Sequence, residues 1–195
     1  MSSSTQRSPG GVPVTPAGLA RFNTSDDSAA RAVLHEVCAS RAWGRGILAR
    51  RPFATAGDLY AANDAAMAGL TAADLAEAMA GHPPIGRPKP GDPTSHREQS
   101  GMAGASDALK AEMLELNLAY QEKFGHVFLI CASGRTGEQM RDAVRNRIDN
   151  TPEHEREIVR VELGKINRIR LARIAEHAEG ADGRENARNV EGDAV

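Results

Sequence analysis

Two groups of residues in this chain have the types and spacing to move a proton. The first is His82, which follows Gly81 and opens the run His82-Pro83-Pro84-Ile85-Gly86-Arg87-Pro88. Gly commonly follows a helix end, and Pro cannot continue a helix. The residue before a Pro is driven towards extended backbone. His82 is therefore expected at a sharp helix exit, on a backbone stiffened by two prolines. A group that titrates near neutral pH on a rigid mount suits general acid chemistry. The same residues also fit a surface histidine in a Pro-rich loop. The second group is Ser95-His96-Arg97-Glu98-Gln99-Ser100, after the loop Gly91-Asp92-Pro93. There a carboxylate, Glu98, adjoins an amide, Gln99. Such a pair can hold a hydroxyl, urea or lactam edge, although an exposed loop would carry the same residues.

A His and a Glu suggest acid–base work without a metal. The histidines (35, 82, 96, 126, 154 and 177) show no ligand spacing, and HExxH is absent. No Gly-rich phosphate loop follows a strand, and there is no G-x-S-x-G elbow. Metal and other cofactors are therefore not expected. The two cysteines, Cys38 and Cys131, form no CxxC pattern, which excludes a disulfide scaffold. A net charge of −2 gives no overall field towards nucleic acid or an anionic membrane. No apolar stretch approaches the ~18 residues of a membrane span. The N-terminus lacks an apolar signal region, so a cytoplasmic location is expected.

The elements that must position these groups read as helices. The chain has 195 residues, 41% hydrophobic and 26% charged, which suits one globular domain. Residues 1–14 and 179–195 are expected to be disordered tails around a helical domain at 15–178. Ser25 can cap a helix to about Ser40, with Ala29, Ala32, Val33, His35 and Glu36 at helical spacing. Thr55 and Thr71 each have an acid three residues on, as an N-cap would. Those helices should end near Gly69 and Gly81. From Ser106, the residues Leu109, Met113, Leu116, Tyr120 and Phe124 form one apolar stripe, which Gly125 ends. Thr136 with Gln139 makes a capping box ahead of Met140, Val144 and Ile148. Thr151-Pro152 opens the last helix, which bears Ile158, Glu162, Ile166, Ile169 and Arg173. At most one or two of Arg168, Arg170 and Arg173 can face the interior. One segment departs from helical patterning. Residues 127–132 are continuously apolar and resemble a buried strand, yet no partner strand is evident. The expected fold is therefore an all-α single-domain bundle with a buried extended connector. Backbone groups of that connector would be free to meet a ligand, or the segment is core filling.

Together these residues resemble the decarboxylases of 2-oxo-4-hydroxy-4-carboxy-5-ureidoimidazoline (OHCU), which act late in urate degradation. The resemblance runs from about Phe22 to Leu171. It includes Cys38-Ala39-Ser40 with Trp43, then Arg51-Pro52-Phe53 and Gly81-His82-Pro83-Pro84-Ile85-Gly86. It continues through Ser95-x-x-Glu98-Gln99-x-Gly101 and Asn117-x-x-Tyr120-x-x-Lys123-Phe124-Gly125. Phe128-Leu129-Ile130-Cys131-Ala132 and residues 165–171 complete it. The resemblance implies an all-helical homodimer that needs no cofactor and acts on OHCU to give (S)-allantoin. It makes His82 the catalytic proton donor and Glu98 its partner. It makes Pro83, Ser95, Gln99, Leu129, Ile130, Cys131, Ala132 and Ser133 substrate-binding, with Arg170 as a substrate-binding arginine from the last helix. Transient contact with other enzymes of urate breakdown fits the same picture. The chain departs from the family at Pro84, where many members carry a basic residue. It departs again at Ser133-Gly134, which separates Arg135 from the Cys-Ala pair. Two other readings of the residues stay open: a non-catalytic helical binding module, and a metal-free hydrolase of a cyclic amide.

Overall fold

Side-chain caps set where most helices begin. The computed structural model describes residues 15–176, so the expected tails 1–14 and 179–195 lie outside the described residues. Along the chain run α1 (Ala17–Thr24), α2 (Asp27–Val37), α3 (Arg41–Leu48), α4 (Ala56–Ala68) and α5 (Ala72–Met79). There follow α6 (Pro93–Glu98), a 3₁₀ turn (Ser100–Met102), α7 (Asp107–Phe124), α8 (Gly137–Arg147) and α9 (Pro152–Glu176). The described residues contain no strand, so the fold is all-α. Thr55 with Asp58, Thr71 with Asp74, and Thr136 with Gln139 form reciprocal capping boxes. Ser106 caps α7, and Gly125 ends it at φ 75°, a backbone region that favours glycine.

The segment from Ser25 to Ser40 differs from expectation. Asp26, not Ser25, caps α2 by accepting the Ala29 N–H. Ser25 instead donates its hydroxyl to the Phe22 carbonyl at 2.9 Å. The helix stops at Val37, Cys38 is extended, and Ser40 caps the separate helix α3. The buried face of α2 is Ala30, Leu34 and Val37. Ala29, Ala32, Val33, His35 and Glu36, which also lie at helical spacing, are exposed. In an Ala-rich helix, a rotation of one residue yields another plausible stripe, and only Leu34 with Val37 buries much apolar area. Part of the expected loop Gly91-Asp92-Pro93 instead starts helix α6, which Asp92 caps and whose first position Pro93 occupies.

The helices build two adjoining cores. Trp43, Ile47, Leu59, Leu75, Leu163 and Leu171 are among the residues that knit α3, α4, α5 and α9 into the first. Met113, Tyr120, Met140 and Val144 tie α7 to α8 in the second, with Ile85 and Phe128. The extended connector runs between them. Phe128, Ile130 and Ala132 enter the second core, whereas Leu129 enters the first and Cys131 packs against it. That alternation is the period of extended chain, which explains the strand-like composition.

A lone extended segment must find backbone partners outside any sheet. Side chains supply them. Arg147 Nη1 donates to the Leu129 carbonyl at 2.9 Å. Glu162 Oε2 accepts the Cys131 N–H at 2.8 Å. Arg135 Nε donates to the Cys131 carbonyl at 3.1 Å. The expectation of a freely available connector backbone is thus corrected at Leu129 and Cys131.

Candidate active site

Helix α5 ends beside the first core, and the chain leaves it through His82, whose N–H donates to the Met79 carbonyl at 2.9 Å. The imidazole is half-buried, and among the described residues no hydrogen bond holds it. Burial pushes its pKa down and the nearby Arg170 guanidinium pushes the same way. Glu98 opposes them, and the net result is about 4. His82 is therefore neutral at physiological pH in the free protein.

Glu98 closes α6 and meets Arg170, which reaches across from α9. Arg170 Nε and Nη2 donate to Glu98 Oε1 and Oε2, each at 2.8 Å. The remaining guanidinium nitrogen donates to the Val37 carbonyl at 2.9 Å. Arg173 Nη1 lies 3.9 Å from Glu98 Oε1. The fork is shielded, with the two side chains 15% and 13% exposed, and its two parallel bonds fix the carboxylate plane. Arg168 points elsewhere: it pairs with Asp64 at 3.1 Å and lies over the Tyr60 ring.

His82, Pro83, Ser95, Glu98, Gln99, Leu129, Ile130, Ala132 and Ser133 line one cleft. Of the other residues expected there, Cys131 packs on the first core instead, and Arg170, bonded to Glu98, lines a neighbouring cleft with His82 and Pro83. Ile85, Phe128, Ile166 and Ile169 line the cleft as well and were read only as chain or core. Phe128 belongs to the apolar run 127–132, whose next residues Leu129 and Ile130 line the cleft too. The two α9 residues follow from sharing a face with Arg170.

Several polar atoms of the lining serve the walls. The Ser95 hydroxyl accepts the Lys89 N–H at 3.0 Å and donates to the Asp92 carbonyl at 3.2 Å. Gln99 Oε1 accepts the Gly86 N–H at 2.9 Å, while its Nε2 donates to the Pro84 carbonyl at 3.3 Å. Directly after Gln99, the 3₁₀ turn presses on the exit of the connector. A Cβ on Gly101 would lie 1.9 Å from the Arg135 carbonyl oxygen. Gly101→Ala is accordingly expected to cost about 1–3 kcal/mol, the usual range for overpacking. Urea unfolding checks this, and wild-type stability in the variant would contradict so close an approach.

Chemically, the cleft combines a neutral imidazole, a fixed carboxylate and apolar walls from Phe128, Leu129, Ile166 and Ile169. Low polarity around such groups strengthens their electrostatic effect on a ligand. Among the described residues, no group of three or more His, Cys, Asp or Glu side chains could hold a metal ion. No described helix is long and apolar enough to cross a membrane.

The class defined by fold and site is an all-α bundle whose cleft brings an imidazole and a carboxylate together. Within that class the chain belongs to the OHCU decarboxylase family, whose sequence profile matches residues 23–172. The uric acid degradation bifunctional protein TTL of Arabidopsis thaliana is 34% identical over 141 residues, which cover 69% of this chain and 44% of that protein. The chain therefore spans less than half the length of this plant relative. The 2-oxo-4-hydroxy-4-carboxy-5-ureidoimidazoline decarboxylase of Amia calva is 32% identical over 127 residues, covering 62% of this chain and 73% of that protein. A crystal structure of OHCU decarboxylase in the presence of (S)-allantoin superposes with a TM-score of 0.66 at 30% identity, covering 78% of this chain and 100% of that one.

Proposed function

We propose that this chain decarboxylates OHCU to (S)-allantoin in urate degradation, without a cofactor. The observation that carries the reading is the cleft that gathers His82, Glu98 and the connector within the family-matched residues. Carried over from the resemblance, the same reading has the chain act as a homodimer, in transient contact with other enzymes of urate breakdown, and the cytoplasm is the location expected from the sequence.

The substrate's own structure removes the need for an external electron sink. Its carboxylate sits on a hydroxyl-bearing carbon next to the ureido-bearing ring carbon. When the bond to CO₂ breaks, its electron pair passes into the ring, which delocalises it. The hydroxyl must then give up its proton as a carbonyl forms. The ring nitrogen that receives the electron pair gains a proton, and the ureido-bearing carbon gains another from one face only; with one proton lost from the hydroxyl, each turnover takes up one proton net from solvent. Glu98, fixed by Arg170, takes the hydroxyl proton. His82 delivers the proton to carbon. The free imidazole is neutral, but a substrate carboxylate in the cleft brings negative charge that favours its protonated form. His82 thus takes up its proton from solvent as the substrate binds. The Ala132 and Ile130 N–H groups have no protein partner among the described residues and are available to developing negative charge on ring oxygens.

The deciding experiment starts from urate, with urate oxidase and hydroxyisourate hydrolase present to generate the unstable substrate. Circular dichroism then follows allantoin. Rapid formation of one enantiomer is expected, whereas slow racemic product, as without enzyme, would refute the reading. In the same assay Glu98→Gln is expected to lower kcat about a hundredfold, at the low end for a positioned acid–base group. An unchanged rate would remove the charge of Glu98 from the mechanism.

A further inference from the structure

We infer that Asn117 is a positioning residue of this site, which from α7 pins, together with Gln99, the turn that follows His82. Its effect on rate rests on the decarboxylase reading; its effect on the turn does not. The turn closes with the Arg87 N–H on the Pro84 carbonyl at 3.1 Å and has Gly86 at φ 84°. It belongs to no helix, so its central backbone groups need partners from elsewhere. Gln99 takes the Pro84 carbonyl and the Gly86 N–H with the two ends of one amide. Asn117 Nδ2 takes the carbonyl between them, that of Ile85, at 2.8 Å. The Ile85 side chain is buried in the second core beside them.

The clamp reaches His82 through a short, stiff link. Only Pro83 stands between His82 and Pro84, and both prolines have a locked φ. A shift of the turn is therefore passed to the His82 backbone instead of being absorbed. Since no hydrogen bond among the described residues holds the imidazole, that backbone and local packing decide where the ring points. Asn117 is also a poor residue for stability alone. It is 7% exposed, and its Oδ1 is buried with no partner among the described residues. An apolar side chain would avoid that unsatisfied oxygen, so the net contribution of the amide to stability is small. What the amide contributes is the placement of the turn.

The test is Asn117→Leu, which keeps the size and removes the donor. The coupled assay is expected to show kcat reduced about tenfold to a hundredfold with KM little changed, as small misplacements of a reacting group do. Two measurements on the free protein read the clamp directly. Amide exchange at Gly86 and Arg87 should accelerate. The NMR titration of His82 should move from about 4 towards the ordinary 6.5 as the ring loses its fixed burial. If Asn117→Leu does not fold, Asn117→Ser, whose hydroxyl is too short to reach the Ile85 carbonyl, repeats all three measurements. Unchanged kcat with unchanged exchange and titration would overturn the inference. So would a loss of melting temperature with a native His82 titration, since that is a purely structural effect. An inactive wild type would instead defeat the decarboxylase reading, while exchange and titration would still decide the clamp.

Discussion

Replacing His82 with Asn is expected to lower kcat by about 10²–10⁴-fold, the usual worth of a positioned proton donor. Far-UV circular dichroism should stay helical, because among the described residues the imidazole makes no hydrogen bond that the fold would lose. Full turnover in the variant would remove His82 from the mechanism. The substitution has a second consequence that does not involve substrate. The pKa of His82 is about 4 in the fold against an ordinary 6.5. Between those values the unfolded chain binds a proton that the folded one does not. Stability must therefore fall as pH drops through that window, and it is unaffected by this group above it. Urea unfolding across the window is expected to show a shallower loss for His82→Asn than for wild type. Equal slopes would mean that the ring is not held neutral by burial.

Local signals were legible in the sequence because their physics is local. Thr55, Thr71, Ser106 and Thr136 each satisfy the amide three residues on, so a window of a few residues suffices to see them. The buried face of α2 was not legible, because its alanines offer more than one stripe of similar weight and the choice depends on what packs against Leu34. The connector was legible as buried and extended, but not its partners, since Arg147 and Glu162 lie 18 and 31 residues away from the groups they bind. The Glu98–Arg170 fork spans 72 residues. No pattern or spacing links two residues so far apart, and family resemblance suggested only that both belong near the substrate. That Arg170 grips Glu98 is a fact of the fold. Gln99 shows the same limit: its chemistry suits a urea edge, yet both ends of its amide close the turn after His82.

Arg147→Met is expected to destabilise the fold by about 3–5 kcal/mol, the usual cost of stranding a buried charge. Glu155 is fully buried. Burial pushes its pKa up, but hydrogen bonds from Arg147, Tyr120 and Asn150 outweigh that and hold its carboxyl below the usual range. Arg147 Nε donates to Glu155 Oε1 at 2.9 Å, Asn150 Nδ2 donates to Oε2 at 2.7 Å, and the Tyr120 hydroxyl donates to Oε1. The folded pKa is lowered, so this stabilisation is present above the unfolded carboxylate value and lost as pH falls through the folded one. The guanidinium also lies 4.6 Å from the Phe128 ring centre and satisfies the Leu129 carbonyl. A double-mutant cycle with Glu155→Leu separates these effects. If the stranded carboxylate causes most of the loss, the double variant regains much of the stability that Arg147→Met alone loses. A single-variant cost under about 1 kcal/mol, the range of an exposed pair, would refute the buried network. The regained stability should not restore full turnover. Phe128 and Leu129 line the cleft, and the double variant leaves the connector without the side chain that held its backbone there.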